Sequence, residues 1–132
     1  MITTRDATPA DLPAIVDIYN QSIPGGRSTA DTQPITVADR AEWFEQFSPD
    51  KRPIWVAEEE GRIIGCVYVI SFYGGRSAYD KTAEISLYID ADYQGKGLGT
   101  SLMQSMIDAC PKLGITTLIG MHFDHNEATR RL

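Results

Sequence analysis

Two stretches of this chain hold residue types suited to chemistry rather than to packing alone. One is a glycine-rich run, Gln94-Gly95-Lys96-Gly97-Leu98-Gly99; the other is a glutamate upstream of it, Glu84. Glycines at alternate positions bring the backbone close to a ligand and free its N–H groups, and a helix starting behind them adds the positive end of its dipole. That combination is a receptor for phosphate. Glu84 lies in Thr82-Ala83-Glu84-Ile85-Ser86-Leu87-Tyr88-Ile89, whose alternation puts Glu84, Ser86 and Tyr88 on one face and Ala83, Ile85, Leu87 and Ile89 on the other. A carboxylate there, crowded by Phe72 and Tyr79, would have its pKa raised by desolvation and could accept a proton directly or through water. On a fully wet strand face it would be only a solvated side chain.

Other elements must position these two. A strand at residues 82–89, a turn at 90–94 and a helix opening at the glycines form one unit, and Gly114 stops that helix before a last strand at 115–121. Upstream, residues 2–5 read as a strand. Thr8-Pro9 starts a first helix over 9–22, with Leu12, Ile15, Val16 and Tyr19 at helical spacing. Pro24-Gly25-Gly26 breaks it. Thr36 caps a second helix whose expected buried stripe is Val37, Ala41, Phe44 and Phe47. Residues 54–57 and 63–72 read as a hairpin turning at Glu60-Gly61.

Composition narrows the function classes. The 132 residues make one domain, 1–132, large enough for its own core. A net charge of −6 speaks against a nucleic-acid binder, so an anionic ligand must be held by local features. No apolar run approaches a membrane span and the N-terminus has no signal-peptide pattern, so a cytoplasmic protein is expected. Cys66 and Cys110 read as small core residues, and Trp43 and Trp55 as core or cleft wall. His122, Asp124 and His125 lack the further ligands and spacing of a metal centre, so no metal is expected.

The glycine run is neither a P-loop, because no Gly-Lys-Ser/Thr closes it, nor a dinucleotide fingerprint, because its third glycine comes one residue early. It fits Q/R-x-x-G-x-G/A after a strand and before a helix. In that register the chain resembles the GNAT superfamily of N-acetyltransferases, and within it the phosphinothricin acetyltransferase group. The second resemblance rests on Ile18-Tyr19-Asn20, Arg76-Ser77-Ala78-Tyr79, the strand holding Glu84, and the stretch from Asn126 to Leu132.

The resemblance implies an α/β mixed sheet in the order β-α-α-β-β-β-α-β, with a right-handed crossover between the last two strands. It implies acetyl-CoA as co-substrate. The backbone of Leu87, Tyr88 and Ile89 would pair with the pantetheine arm, Gln94, Gly95, Lys96, Gly97, Leu98, Gly99 and Thr100 would hold the pyrophosphate, and Asn126 would approach the cofactor's amide region. Glu84 would be the general base. Arg76 and Tyr79, with Ser77 and Ala78, would hold the carboxylate of an amino-acid-like amine; the family commonly has a further arginine where this chain has Gly74. The family continues past the residue matched by Leu132 into further strands and a Tyr or His partner for catalysis. The expectation is therefore a C-terminally short form that dimerises to cover its open sheet edge. Two functions follow: an N-acetyltransferase for a small primary amine, acting by direct attack in a ternary complex, or a catalytically impaired module that binds acetyl-CoA and serves as an interaction protein.

Overall fold

The computed structural model describes residues 2–22, 36–71 and 81–120. These form strand β1 (Ile2–Asp6), helices α1 (Leu12–Ser22) and α2 (Val37–Phe44), strands β2 (Ile54–Glu59), β3 (Arg62–Ser71) and β4 (Thr82–Ile89), helix α3 (Leu98–Leu113) and strand β5 (Thr117–Gly120). The sheet runs β1-β2-β3-β4-β5; each of the first four strands is antiparallel to its neighbour among them, and β5 lies parallel to β4. A parallel pair needs a crossover, and α3 supplies it. The expected mixed sheet and element order are thus present over the described residues.

Both faces of the sheet are covered, and strand alternation decides which side chain goes where. Ala83 and Ile85 of β4 join Ala57, Val67, Leu102 and Met106 in a core beneath α3. The opposite face gathers Ile54, Val56, Cys66 and Tyr68 beneath α1, with Trp43, Phe44, Phe47 and Tyr88 packed against it. Cys66 and Cys110 are buried free thiols, as read from the sequence. The β2–β3 hairpin turns through Glu60 and Gly61, both at positive φ (51° and 83°), which matches the two-residue turn favoured by strand twist.

The buried stripe expected for the second helix needs correction. Val37 is 40% exposed and Ala41 is also exposed, while Trp43 and Phe44 turn inward and Phe47 packs from beyond the helix end. The aromatic rings choose the face. Trp43, Phe47 and Tyr68 meet edge to face, with centroids 4.9 to 5.4 Å apart. Burying that much ring surface outweighs burying a valine and an alanine.

The start of the first helix is fastened to the sheet. A single 3-10 turn (Pro9–Asp11) precedes α1, and the Asp11 carboxylate accepts from Thr8 N at 2.7 Å. Arg5 of β1 donates to both oxygens of Asp11, at 2.8 and 2.9 Å, and to Glu58 of β2 at 3.0 Å. That pairing holds the Asp11 carboxyl below the usual carboxylate range.

Candidate functional site

The glycine run sits where β4 gives way to α3. After β4 the chain makes a 3-10 turn (Ala91–Tyr93) and then bends through Gly95 (φ 78°) and Gly97 (φ 84°). A Cβ at either glycine would meet nothing within 4 Å, so backbone conformation and not crowding demands glycine there. Gly97 is the N-cap of α3, and Leu98 and Gly99 open its first turn.

The amides of this bend are uncommitted. Ser101 N, donating to Gly97 O at 3.1 Å, is the first amide bonded back into the helix start. Among the described residues, none of the amides of residues 95–100 donates to a backbone carbonyl. Orphan donors at the positive end of a helix of 16 residues form an anion receptor. Thr100 and Lys96 are exposed beside them, and the Lys96 ammonium lies 5.4 Å from the Tyr93 ring centroid. Gln94 turns the other way, donating to Ile89 O at 3.1 Å and tying the loop to the strand end.

The edge of β4 leads from this receptor toward Glu84. Among the described residues β5 pairs with β4 only from Thr82↔Thr117 to Ile85↔Gly120. Leu87, Tyr88 and Ile89 keep their β3 partners Val67, Cys66 and Gly65, and no described strand pairs with them on the other side. Among the described residues their backbone groups on that side have no strand partner, and an extended ligand could use them as a further strand would. Gly65 leaves room for the Ile89 side chain, since a Cβ there would lie 2.9 Å from Ile89 Cδ1.

Glu84 is half-buried, opposite Ile70 of β3 and Ile119 of β5. It shares the α1 side of the sheet with Ser86 and Tyr88, as alternation requires, and stands roughly 17 Å down the strand from Ile89. Tyr88 is packed against Tyr19, with centroids 5.1 Å apart, and stacked with Tyr68 at 6.3 Å. Burial pushes the Tyr88 phenol up to about 12 and the Cys66 thiol up to about 12, so neither supplies an anion near neutral pH. Arg76, Ser77, Ala78, Tyr79 and Asn126 lie outside the described residues, as do Phe72, His122, Asp124 and His125.

One residue near the site was not singled out from the sequence. The Arg40 guanidinium lies over both the Tyr19 ring and the Trp43 ring, at 4.7 and 4.5 Å from their centroids. Arg40 and Trp43 are three apart, one helical turn, so their contact was legible in the spacing; that with Tyr19 needed the fold. A cavity of about 620 Å³ also reaches the start of α3, between Lys96, Gly97 and Ser101 on one side and Thr4, Glu59 and Arg62 on the other. No residue of β4 lines it, Glu84 included.

Comparison with known proteins places this geometry. Residues 12–132 match the Acetyltransferase (GNAT) family. The chain is 44% identical to YwnH of Bacillus subtilis over 132 residues, covering 99% of this chain and 80% of that protein. It is 31% identical to the L-methionine sulfoximine/L-methionine sulfone acetyltransferase of Pseudomonas aeruginosa, covering 95% and 73%. To the phosphinothricin N-acetyltransferase of Streptomyces viridochromogenes the identity is 30%, covering 99% and 70%. The structure of YncA from Salmonella typhimurium with its cofactor acetyl-CoA superposes with a TM-score of 0.90 at 27% identity, covering 99% of this chain and 75% of that one. With the fold, the glycine bend and these relatives in agreement, the chain belongs to the GNAT acetyltransferase family, in its phosphinothricin acetyltransferase-like group.

Proposed function

We propose that the protein transfers the acetyl group of acetyl-CoA to the primary amine of a small amino acid or amino-acid analogue, by direct attack in a ternary complex. One observation carries this reading: the free amides of residues 95–100 follow directly on β4, the strand that bears Glu84 and that among the described residues has no partner beyond β3 over residues 86–89. The residues present fit the coenzyme. A diphosphate needs converging N–H donors, and the bend offers them uncommitted. An amide-containing arm needs main-chain partners, and Leu87, Tyr88 and Ile89 would supply them on the side where no described strand pairs with them.

Acetyl-CoA, when bound, supplies an activated acyl group as its thioester. The chain's residues do the rest. The amides of Gly95, Lys96, Gly97, Leu98, Gly99 and Thr100 hold the diphosphate, with Lys96 adding a charged contact and Gln94 fixing the bend. Glu84 takes a proton from the acceptor, directly or through water, because an ammonium cannot attack. The amine nitrogen then bonds to the acyl carbon, the carbon–sulfur bond breaks, and the leaving thiolate takes up the second proton that the nitrogen sheds. Main-chain N–H groups of β4 stabilise the oxyanion formed on the way. Both described thiols are buried with raised pKa values, which favours direct attack over a cysteine-bound acyl group.

The acceptor class follows from the relatives that act on methionine sulfoximine and phosphinothricin. Arg76 and Tyr79 would hold the acceptor's carboxylate, with Ser77 and Ala78 shaping the turn between them, and Asn126 would meet the coenzyme's amide region. We also read the protein as a homodimer: β1 ends the described sheet with no strand on its outer side, an edge that invites pairing. Release of free thiol from acetyl-CoA, followed with a panel of amino acids including methionine sulfoximine and phosphinothricin, tests the activity. Turnover with none of them, despite a rise in melting temperature on adding CoA, would replace the enzyme by a coenzyme-binding module. A species that sediments as a monomer at all concentrations would remove the dimer.

A further inference from the structure

Three segments converge on the turn just before the phosphate-binding bend, and Asp90 is where they meet. Asp90 is buried, 6% exposed, at the end of β4. One carboxylate oxygen accepts from Asp92 N at 2.9 Å. The other accepts from Gln21 Nε2, in the last turn of α1, and from Arg62 Nη2, at the start of β3, both at 3.3 Å. The main chain is fixed as well: Asp90 N donates to Ile64 O, and Asp90 O accepts from Tyr93 N, both at 2.9 Å. Gln21 makes a second contact, its Oε1 accepting from Ala91 N at 2.8 Å. Beyond the turn, the Tyr93 hydroxyl donates to Glu59 at 3.0 Å.

Charge makes this arrangement informative. Asp90 and Asp92 place two carboxylates a few residues before a receptor for a diphosphate, where like charges repel. Arg62 pairs with both, at 3.3 and 3.4 Å, and so offsets part of that cost. A carboxylate set here works against the anion by its charge, so its benefit has to come through geometry. Donor groups serve an anion only when held close to the productive direction.

We propose that Asp90, gripped by Gln21 and Arg62, is a positioning residue for the coenzyme's diphosphate: it fixes the 91–94 turn so that the amides of residues 95–100 converge. This deepens the acetyl-CoA reading and rests on it.

The sign of one substitution separates geometry from charge. In Asp90→Asn, the single amide oxygen can accept from Asp92 N or from the Gln21 and Arg62 donors but not from both sides, so part of the grip on the turn fails. If Asp90 mattered only as a charge, its neutralisation would tighten CoA binding. If it positions the bend, binding weakens by about tenfold, the scale of a lost hydrogen bond to a charged group. Gln21→Met keeps net charge constant and removes both the Asp90 and the Ala91 contacts from an exposed side chain, so it tests the same idea without a buried change; about fivefold weaker CoA binding is expected. CoA affinity is read by titration calorimetry. Pantetheine, which has the same arm without the diphosphate, is titrated at millimolar concentration by NMR and should bind both variants as it binds the wild type. Unchanged or tighter CoA binding in both variants, beside normal wild-type binding, overturns the positioning role alone, as does an equal loss of pantetheine binding. Wild-type protein that binds no CoA overturns the coenzyme reading, and the positioning role with it.

Discussion

At the scale of single residues, Glu84 and Gly97 bear opposite kinds of dependence. The general-base role proposed for Glu84 would run through its carboxylate, so Glu84→Gln should leave the KM for acetyl-CoA unchanged while lowering kcat by roughly a hundredfold or more, the usual worth of a positioned general base. Steady-state kinetics with the best acceptor of the panel checks this, and an unchanged kcat would remove the assignment. Gly97 acts through its backbone. At φ 84° an L side chain is strained, so Gly97→Ala should cost about 1 kcal/mol of stability in urea unfolding. It should also weaken CoA binding, because relaxing the strain turns the next amides away. Cys66 offers a simpler check. Its thiol is buried and pushed up to about 12, so it should resist alkylation at pH 8 in native protein and react fully in denaturant.

At the scale of elements, the Arg5–Asp11–Glu58 contact joins β1, the start of α1 and β2, and it should set the acid limit of the fold. The Asp11 pKa is lowered chiefly by its hydrogen bonds to Arg5, from the ordinary value of 3.8. A depressed carboxylate contributes stability that is present above its unfolded pKa and lost as pH falls through its folded pKa. Stability measured by urea unfolding should therefore fall as pH drops below about 4. Asp11→Ala should cost about 1 to 3 kcal/mol at pH 7, because it leaves Thr8 N and part of Arg5 without an acceptor. The difference between variant and wild type should shrink at the lowest pH, and a difference constant with pH would place the effect in packing instead.

At the scale of the whole molecule, coenzyme binding and folding should be coupled. The glycine bend, the end of β4 and the turn at Asp90 are held by α1, β2, β3 and α3 together, so a ligand that fits them binds only the folded chain. CoA at about a hundred times its Kd should add about 2.7 kcal/mol of stability, read as a rise in Tm of several degrees. Pantetheine at the same concentration should raise the Tm far less, because it offers nothing to the amides of residues 95–100.

Much of this arrangement could be read from local sequence. Gln94-Gly95-Lys96-Gly97-Leu98-Gly99 announces a bend with free amides because only glycine takes the φ values it needs, and alternation in β4 assigns Glu84 and Tyr88 to one side and Ala83 and Ile85 to the other. Both are short-range constraints, written within a few residues. The inward face of α2, the stacking of Arg40 on Tyr19, the parallel pairing of β5 with β4, and the meeting of Gln21, Arg62 and Asp90 were decided only in three dimensions. Each depends on partners far apart in the chain, brought together by the packing of α1, α2 and the hairpin against the sheet. A residue's own neighbours in sequence determine what conformation it can take, and only the assembled sheet determines what it touches.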